Sequence, residues 1–166
     1  HEVIVINKVA SKYFEIDGAY YVFDGNTKLE NINVEKGGSV FASFSGVLCY
    51  VDENGVASDL LYCPPGKTGA LEIPKEITNI RNHAFHGTSL TSVTFEEYDK
   101  TDTEHYGKPL LEVGLNTTNT DNRIYVFYGE KLESISFPSH LKALNAYAVT
   151  SKANVTTLTT ITFNPD

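Results

Sequence analysis

The amino-acid sequence predicts a repeat solenoid: a stack of similar coils, mostly β with turns and little helix, built around a short-stranded parallel sheet. Three observations predict this fold class. Two parts of the chain match other parts without a gap, one apolar hexapeptide recurs, and its copies are about 20–26 residues apart. A coil of that length cannot bury its apolar side alone, so each coil needs a neighbour stacked on it.

The internal matches are the strongest of these observations. Residues 73–85 (IPKEITNIRNHAF) align without a gap with residues 137–149 (FPSHLKALNAYAV), and residues 84–95 align with residues 126–137. Apolar residues coincide in both alignments, as do a proline in the first and a glycine in the second. The coincident pairs include Pro74 with Pro138, Phe85 with Phe127, Gly87 with Gly129, and Phe95 with Phe137.

The recurring hexapeptide has the pattern Leu-x-x-apolar-x-apolar. It occupies residues 29–34, 90–95, 132–137 and 158–163, with a degenerate copy at residues 110–115. Its final apolar pair alternates with polar residues, which predicts a strand with one face toward the core. The fourth position of the hexapeptide measures the repeat spacing. In the copies from residue 90 onward it is occupied by Val93, Val113, Ile135 and Ile161, and Leu71 takes the equivalent position one repeat earlier. The intervals between them, about 20–26 residues, lie in the range of leucine-rich repeats.

The complete repeat pattern resembles that of a known family. L-x-S-[IV]-x-[IF]-P-x-x-[IL]-x-x-[IL]-x-x-x-A-[FV]-x-G, carried by residues 60–95 and 126–163, is similar to the BspA-like leucine-rich repeat of bacterial and some protist surface proteins. This resemblance implies an extracellular or cell-surface protein whose repeats engage host molecules, other cells or matrix. Thr88 and Glu130 stand where the family often has a cysteine, so no cysteine ladder is expected.

The sequence predicts one solenoid domain over residues 1–166, with three irregular parts. Residues 1–28 contain only a worn repeat, residues 44–67 resemble the hairpin variant that such proteins place between ordinary repeats, and residues 96–108 form an acidic insertion loop. The chain begins at His1 and contains no Met, so we expect a fragment of a longer or processed protein.

The hairpin segment contains both cysteines of the chain. Two apolar runs flank Asp-Glu-Asn-Gly, a turn-forming sequence. Folding the segment about residue 56 places Cys49 opposite Cys63 and Tyr50 opposite Tyr62. Two interpretations stay open: a disulfide, as in other exported proteins, or two small buried thiols. Adjacent antiparallel strands are a demanding geometry for a disulfide, which favours the thiols.

Charge and hydropathy exclude two classes of partner. The formal net charge is −8, from 13 basic and 21 acidic residues. Nucleic-acid binding needs clustered Lys and Arg, and here they are scattered among the acids, so we expect no nucleic acid. No stretch approaches the ~18 consecutive apolar residues of a membrane span, so we expect no membrane insertion.

No catalytic constellation emerges, and we expect neither an enzyme nor a cofactor nor a bound metal. His83-x-x-His86 has a spacing that suits a metal, but the repeat alignment treats both positions as variable surface positions. Cys49 and Cys63 lie in apolar surroundings without a nearby His to activate a thiolate.

The predicted function is therefore binding, as an adhesion module for an extracellular protein or glycan. The candidate contacts are aromatic and acidic residues of the insertion loop and of the turns: Tyr98, Asp99, Asp102, His105, Tyr106, Tyr128 and Tyr147. An acidic insertion is more often an ordinary solvated loop, and its clustered carboxylates also suit a weak calcium site.

The outward strand positions form a second, weaker candidate surface. They are hydroxyl-rich and mildly acidic, without aromatic anchors: Asn31, Asn33, Glu72, Ser92, Thr94, Glu112, Ser134, Ser136, Thr160 and Thr162. A partner there would be bound weakly or by many copies together. The alternative function is a passive structural spacer that presents another domain of a larger surface protein. We also expect end-to-end self-association, because repeat arrays need capped ends for solubility.

Overall fold

The computed structural model describes residues 2–7, 22–23, 25–99, 110–114, 125–128, 131–145, 148–149 and 157–164. Almost all of their regular structure is β. The strands are β1 (Glu2–Ile6), β2 (Leu29–Val34), β3 (Phe41–Phe44), β4 (Val47–Val51), β5 (Ala57–Tyr62), β6 (Thr68–Ile73), β7 (Asn79–Ile80), β8 (Ser89–Phe95), β9 (Leu111–Val113), β10 (Ser134–Phe137), β11 (Leu141–Leu144) and β12 (Thr160–Phe163).

The strands form a solenoid with two parallel ladders, which confirms the predicted fold class. In the first sheet the order is β12-β10-β8-β6, and all of its pairs are parallel. In the second sheet the order is β11-β9-β7-β5-β4-β3, parallel from β11 to β5 and antiparallel from β5 to β3. The sequence indicated only the first ladder, because its longer strands alternate clearly whereas β7 has two residues.

The register corrects one member of the predicted repeat series. Leu71, Val93, Ile135 and Ile161 do lie side by side in the first sheet. Val113 does not, because β9 pairs with β7 and β11 in the second sheet. In the first sheet, β10 therefore follows β8 directly, and β9 between them in the chain belongs to the second sheet. Alternation in Leu-Glu-Val specifies a half-buried strand but not the sheet to which the strand belongs.

The main core lies between the two sheets, and stacked aromatic rings run through it along the solenoid axis. Phe95 stacks on Phe137 with 5.8 Å between ring centroids, and Phe137 stacks on Phe163 at 5.4 Å. Phe85 and Phe127 stack in the same way at 4.9 Å. Burying one Phe stabilises a fold by about 1.5–3 kcal/mol. Residues that coincide in the second alignment are thus neighbours in space, and Phe95, Phe137 and Phe163 contribute one ring each from three adjacent strands.

A third side of the solenoid consists of turns joined by backbone hydrogen bonds. The Cys63 N–H donates to Ala84 O (2.7 Å), Phe85 N–H donates to Val126 O (3.0 Å), and Phe127 N–H donates to Ala148 O (2.9 Å). These bonds satisfy buried peptide groups where no strand is present. They also fix the turns at 82–88 and 125–128 next to each other.

The hairpin of β4 and β5 has a different register from the one predicted. Cys49 lies opposite Leu60 and Tyr50 opposite Asp59, so the expected facing pair of cysteines is wrong. The turn centres earlier than residue 56, because the Asp52 carboxylate accepts from the N–H groups of Asn54 and Val56, both at 2.9 Å. Two bulges shift the register further.

Both cysteines are free thiols within the main core. Burial raises the pKa of Cys63 to about 12, and it raises the pKa of Cys49 as well. Both side chains are 0% exposed, so neither sulfur is accessible for reaction.

The N-terminal part has its own small sheet and core. β1 pairs in parallel with β2, and β2 packs with β3, β4 and β5 around a cluster that includes Ile32 and Tyr62. Gly66 joins this part to the repeats, because its N–H donates to Leu29 O at 2.8 Å. Most of the predicted worn repeat over residues 1–28 lies outside the described residues. Across the described ranges, the structure contains no helix long and apolar enough to cross a bilayer.

Candidate functional site

The acidic segment begins as part of the folded body rather than as a free loop. Tyr98 is 8% exposed, its ring packs on His140 at 4.6 Å, and its hydroxyl donates to Lys75 O at 3.1 Å. Tyr98 is therefore not the exposed contact that the sequence suggested. Tyr98 is buried because it directly follows β8, where the turn after β10 covers it.

The two glutamates before Tyr98 are also structural. Glu96 forms an ion pair with Lys75 at 2.7 Å. Glu97 accepts hydrogen bonds from Ser139 and from the Asn164 side chain, the latter at 2.7 Å. Both carboxylates are therefore engaged in contacts between adjacent coils.

The remaining predicted contacts are distributed as follows. Asp99 is exposed at the point where the described part of the segment stops. Tyr128 is half-buried in the turn at 125–128. Asp102, His105, Tyr106 and Tyr147 lie outside the described residues.

Tyr128 belongs to a cluster of four aromatic rings on the third side of the solenoid. We call His83, His86, Tyr125 and Tyr128 the aromatic patch. His86 and Tyr128 stack face to face, with 4.4 Å between centroids and 10° between ring planes. The other ring pairs lie at 5.8 Å (His83–His86), 6.0 Å (Tyr125–Tyr128) and 6.4 Å (His83–Tyr125). All four side chains are half-buried, so each ring is held by neighbours and still reaches the surface.

Two adjacent turns position the patch. The His83 N–H donates to Tyr125 O at 2.9 Å, and the Gly87 N–H donates to Tyr128 O at 2.6 Å. Gly87 has a φ of +73°, which glycine adopts without steric cost. His83 has a φ of +60°, an uncommon conformation for a residue with a side chain. Such conformations concentrate at binding and catalytic sites, where the surrounding contacts maintain them.

The patch is an amphipathic surface of aromatic rings with hydrogen-bonding groups at their edges. Burial lowers the pKa of His83 from its ordinary value of 6.5, so its imidazole is neutral at pH 7. Tyrosine and neutral histidine combine an apolar ring face with hydrogen-bonding groups at the ring edge. Among the described residues, no group of three or more potential ligands could hold a metal ion.

The outward strand positions do not form one continuous strip. One row runs across the whole first sheet, Ala70–Ser92–Ser134–Thr160, and beside it Glu72 pairs with Thr94 and Ser136 with Thr162. Asn31 and Asn33 lie instead on β2, and Glu112 lies on the second sheet. The first sheet therefore presents a hydroxyl-rich face without aromatic anchors.

Sequence reasoning placed Tyr128 among the candidate contacts but missed three residues of the patch. It considered His83 and His86 only as metal ligands, and it passed over Tyr125. The available signal was the alignment of residues 84–95 with residues 126–137, which sets His86 on Tyr128. Residues at equivalent positions of adjacent coils become spatial neighbours, so two aligned aromatic residues predict a stacked pair.

Comparison with known proteins identifies the repeat. The family described as BspA type leucine rich repeat region matches residues 67–164 in six copies, which confirms the resemblance drawn from the sequence. No curated protein shows a significant match.

Two solved structures share the fold. One is a leucine-rich repeat protein from Eubacterium ventriosum, with 20% identity and a TM-score of 0.62 over 99% of this chain and 36% of that one. The other is the pneumococcal vaccine antigen PcpA, with 24% identity and a TM-score of 0.51 over 85% of this chain and 28% of that one. The chain thus spans about a third of the length of these proteins.

Proposed function

This chain belongs to the BspA type leucine-rich repeat family, and we propose that it is a non-catalytic binding or adhesion module of an extracellular or cell-surface protein. The ligand is an extracellular protein or glycan, and the contact surface is centred on the aromatic patch. The single observation that carries the proposal is the cluster of four half-buried aromatic rings on the turn side of the solenoid.

The patch has the properties of an interface hot spot. Tyrosine is enriched at such sites because a rigid ring provides a large contact area at a small entropic cost. Here the rings are ordered before a partner arrives, since His86 and Tyr128 already stack on each other. Preorganisation lowers the entropic cost of association. Ring faces suit the apolar face of a sugar or an aliphatic side chain, and the tyrosine hydroxyls supply hydrogen bonds.

The setting supports a surface protein. One fold relative is known as a pneumococcal vaccine antigen. A net charge of −8 favours solubility and disfavours binding to the phosphates of nucleic acid. Both cysteines are buried thiols with raised pKa values, so neither is an activated nucleophile.

The alternative is a passive spacer, and the first sheet is the observation that favours it. Its exposed rows consist mainly of Ser and Thr with one Glu, and they offer no anchor for a tight interface. A stack of coils joined by two parallel ladders also suits the separation of two domains. The two functions differ in one respect: only a binding module has a surface at which a substitution abolishes an interaction.

The decisive experiment is a binding screen of the 166-residue chain against glycans and extracellular-matrix proteins. The test variant is His86→Ala with Tyr128→Ala, and the matched control is Thr94→Ala with Ser136→Ala on the first sheet. Circular dichroism confirms that both variants fold. We expect saturable binding that the test variant reduces at least about tenfold, since a hot-spot pair contributes more than 1 kcal/mol.

Two outcomes would overturn the proposal. Equal loss in the control variant would move the site to the first sheet, and the absence of binding across the whole panel would support the spacer. Tyr98→Ala is a poor probe, because removal of this buried ring perturbs the fold as well as any binding.

A further inference from the structure

The four rings of the aromatic patch contact one another in a closed cycle. Going round the cycle, the ring centroids are 5.8 Å (His83–His86), 4.4 Å (His86–Tyr128), 6.0 Å (Tyr128–Tyr125) and 6.4 Å (Tyr125–His83) apart. Directly packed aromatic rings have centroids about 4.5–7 Å apart. Each ring therefore packs on the next, so a ligand has to lie on the outer surface of the cycle rather than between its rings.

This packing does not provide a cage for a cation. An aromatic cage holds a quaternary ammonium ion within about 6 Å of several ring centroids, so its rings surround an open space. The rings of the patch are at contact distance and leave no such space between them. The net charge of −8 would attract a cation, but the geometry of the patch does not enclose one.

The ring planes of the patch have two orientations. His86 and Tyr128 are parallel to within 10°, and each covers one face of the other. His83 is inclined to His86 by 66°, and Tyr125 is inclined to Tyr128 by 52°. A ligand on the patch therefore meets some rings along their planes and others at their edges, where the polar atoms of tyrosine and histidine lie.

The charge of the patch favours a ligand without charge. None of its four residues is Asp, Glu, Lys or Arg, and burial lowers the pKa of His83, so its imidazole is neutral at pH 7. Carboxylates, sulfates and phosphates are normally recognised by Lys or Arg. An acidic sugar would find no such partner in the patch, and the net charge of −8 would repel it.

The area of the patch suits a small ligand. All four side chains are half-buried. A whole aromatic side chain has about 150–250 Å² of surface, so the four together expose at most roughly 400 Å². A standard protein–protein interface takes about 800 Å² from each partner. The patch alone is therefore closer in size to the footprint of one or two sugar rings than to that of a folded protein.

We propose that the aromatic patch binds an uncharged pyranose, presented as a terminal or exposed unit of a glycan. The apolar C–H face of the sugar stacks along one ring orientation, and its hydroxyls exchange hydrogen bonds with the polar edges of the inclined rings. Tyr128 supplies both kinds of contact, since His86 holds its ring and its hydroxyl lies at the ring edge. This inference rests on the proposed function and narrows its ligand to a neutral sugar.

Saturation-transfer NMR on the 166-residue chain tests the proposal. The ligands are the methyl glycosides of glucose, galactose, mannose and N-acetylglucosamine. We expect at least one to bind with a Kd of about 1 mM, the affinity of a ligand of this size, and to receive most saturation at the protons of its apolar face. N-acetylneuraminic acid, an anionic sugar, and tetramethylammonium, a compact cation, are the comparison ligands and should not bind saturably.

Two variants locate the binding. Tyr128→Leu keeps apolar packing against His86 but removes the ring and its hydroxyl, and it should weaken sugar binding about fivefold or more. His83→Asn should also weaken binding, because it removes a ring from the patch. His83 has a φ of +60°, which asparagine adopts more readily than most residues, so this variant should keep the fold.

Tyr50→Leu is the matched control. Tyr50 is another half-buried tyrosine, stacked on Phe41 with 5.2 Å between ring centroids, and it lies on β4 outside the patch. Its replacement should leave sugar binding unchanged. Circular dichroism confirms that each variant is folded before it is titrated.

Each of the following results would overturn the proposal. Preferential binding of the anionic sugar or of the cation would assign a different ligand chemistry to the patch. Equal weakening by Tyr50→Leu and Tyr128→Leu would place the sugar elsewhere. If no sugar binds but a matrix protein binds in a manner that Tyr128→Leu abolishes, the neutral sugar is excluded and the proposed binding function stands. If neither a sugar nor a protein binds, both proposals fail.

Discussion

Glu97 and Ser139 are joined by a bidentate contact across 42 residues of chain. The Ser139 hydroxyl donates to Glu97 Oε2 at 2.8 Å, and the Ser139 N–H lies 3.1 Å and 3.2 Å from the two carboxylate oxygens. The same carboxylate accepts from Asn164 Nδ2 and lies 3.8 Å from His140 Nδ1. Glu97 therefore connects the residues directly after β8 to the turn after β10 and to the end of β12.

Replacing this carboxylate should destabilise the C-terminal coils. For Glu97→Gln we expect a loss of about 1–3 kcal/mol in the free energy of unfolding, because hydrogen bonds to a charged acceptor are stronger than neutral ones. Urea denaturation monitored by circular dichroism measures the change. Glu76→Gln, at an exposed position, is the control and should stay within about 0.5 kcal/mol of the wild type. Equal stability of both variants would show that the contact contributes nothing.

The same carboxylate gives stability a dependence on pH. Burial alone would raise the pKa of Glu97, but hydrogen bonds from Asn164 and Ser139, together with the nearby His140, hold it below its ordinary value of 4.5. A lowered folded-state pKa stabilises the fold above the unfolded pKa, and this stabilisation is lost as the pH falls through the folded pKa. We expect the wild type to lose more stability than Glu97→Gln as the pH is lowered from 5 to values below the ordinary pKa of 4.5. Parallel pH profiles of the two proteins would contradict this prediction.

The line of stacked rings predicts a gradient of sensitivity along the solenoid. Phe137 is 0% exposed between two other rings, and Phe137→Ala should cost about 3–5 kcal/mol through lost burial and a cavity. Phe163 is 60% exposed, so Phe163→Ala should cost under about 1.5 kcal/mol. Thermal or urea unfolding compares the two variants. A larger effect at Phe163 would contradict the gradient expected from the exposures of the two rings.

Thiol titration distinguishes the two interpretations of the cysteines. Cys49 and Cys63 are buried, and burial raises both pKa values, so a thiol reagent should label neither in the native chain at pH 8. After denaturation without a reductant, we expect both thiols to react. Failure to react until a reductant is added would reveal a disulfide and would contradict the described register of β4 and β5.

Gly66 is a position where a single methyl group should be disruptive. A Cβ there would lie 2.7 Å from Leu29 O and 2.8 Å from Lys28 C, both backbone atoms that cannot rotate away. Gly66→Ala should cost about 1–3 kcal/mol by overpacking. A Cβ at Gly69 meets nothing within 4 Å, but the φ of +81° still strains a side chain there. Urea unfolding of Gly66→Ala and Gly69→Ala should therefore show a lower free energy of unfolding for each variant. Only at Gly66 does the loss include a steric clash with β2. An unchanged Gly66→Ala would show that the N-terminal part shifts freely against the repeats.

Local pattern determined the repeat itself. Alternation in residues 90–95, 132–137 and 158–163 predicted strands with one buried face, and the structure stacks them in register. The ungapped alignment predicted which aromatic residues would be neighbours, such as Phe95 and Phe137. These features depend on the order of apolar and polar residues within one coil and on which coil follows it. Both can be read from the amino-acid sequence.

Other features depended on contacts between distant parts of the chain. Alternation alone could not assign Val113 to the second sheet, because it is the same on either side of the core. The hairpin register depended on the Asp52 turn and two bulges, and these moved Cys49 opposite Leu60. The sequence predicted Tyr98 as a surface residue, whereas in the structure His140 packs on its ring. The aromatic patch likewise depends on the contact between the turns at 82–88 and 125–128. The sequence by itself determined the coil, the inward face of each strand and the family. The tertiary structure decided which sheet each strand joined and which side chains stayed at the surface. The physical reason is that strand pairing and burial depend on the neighbours that packing brings into contact.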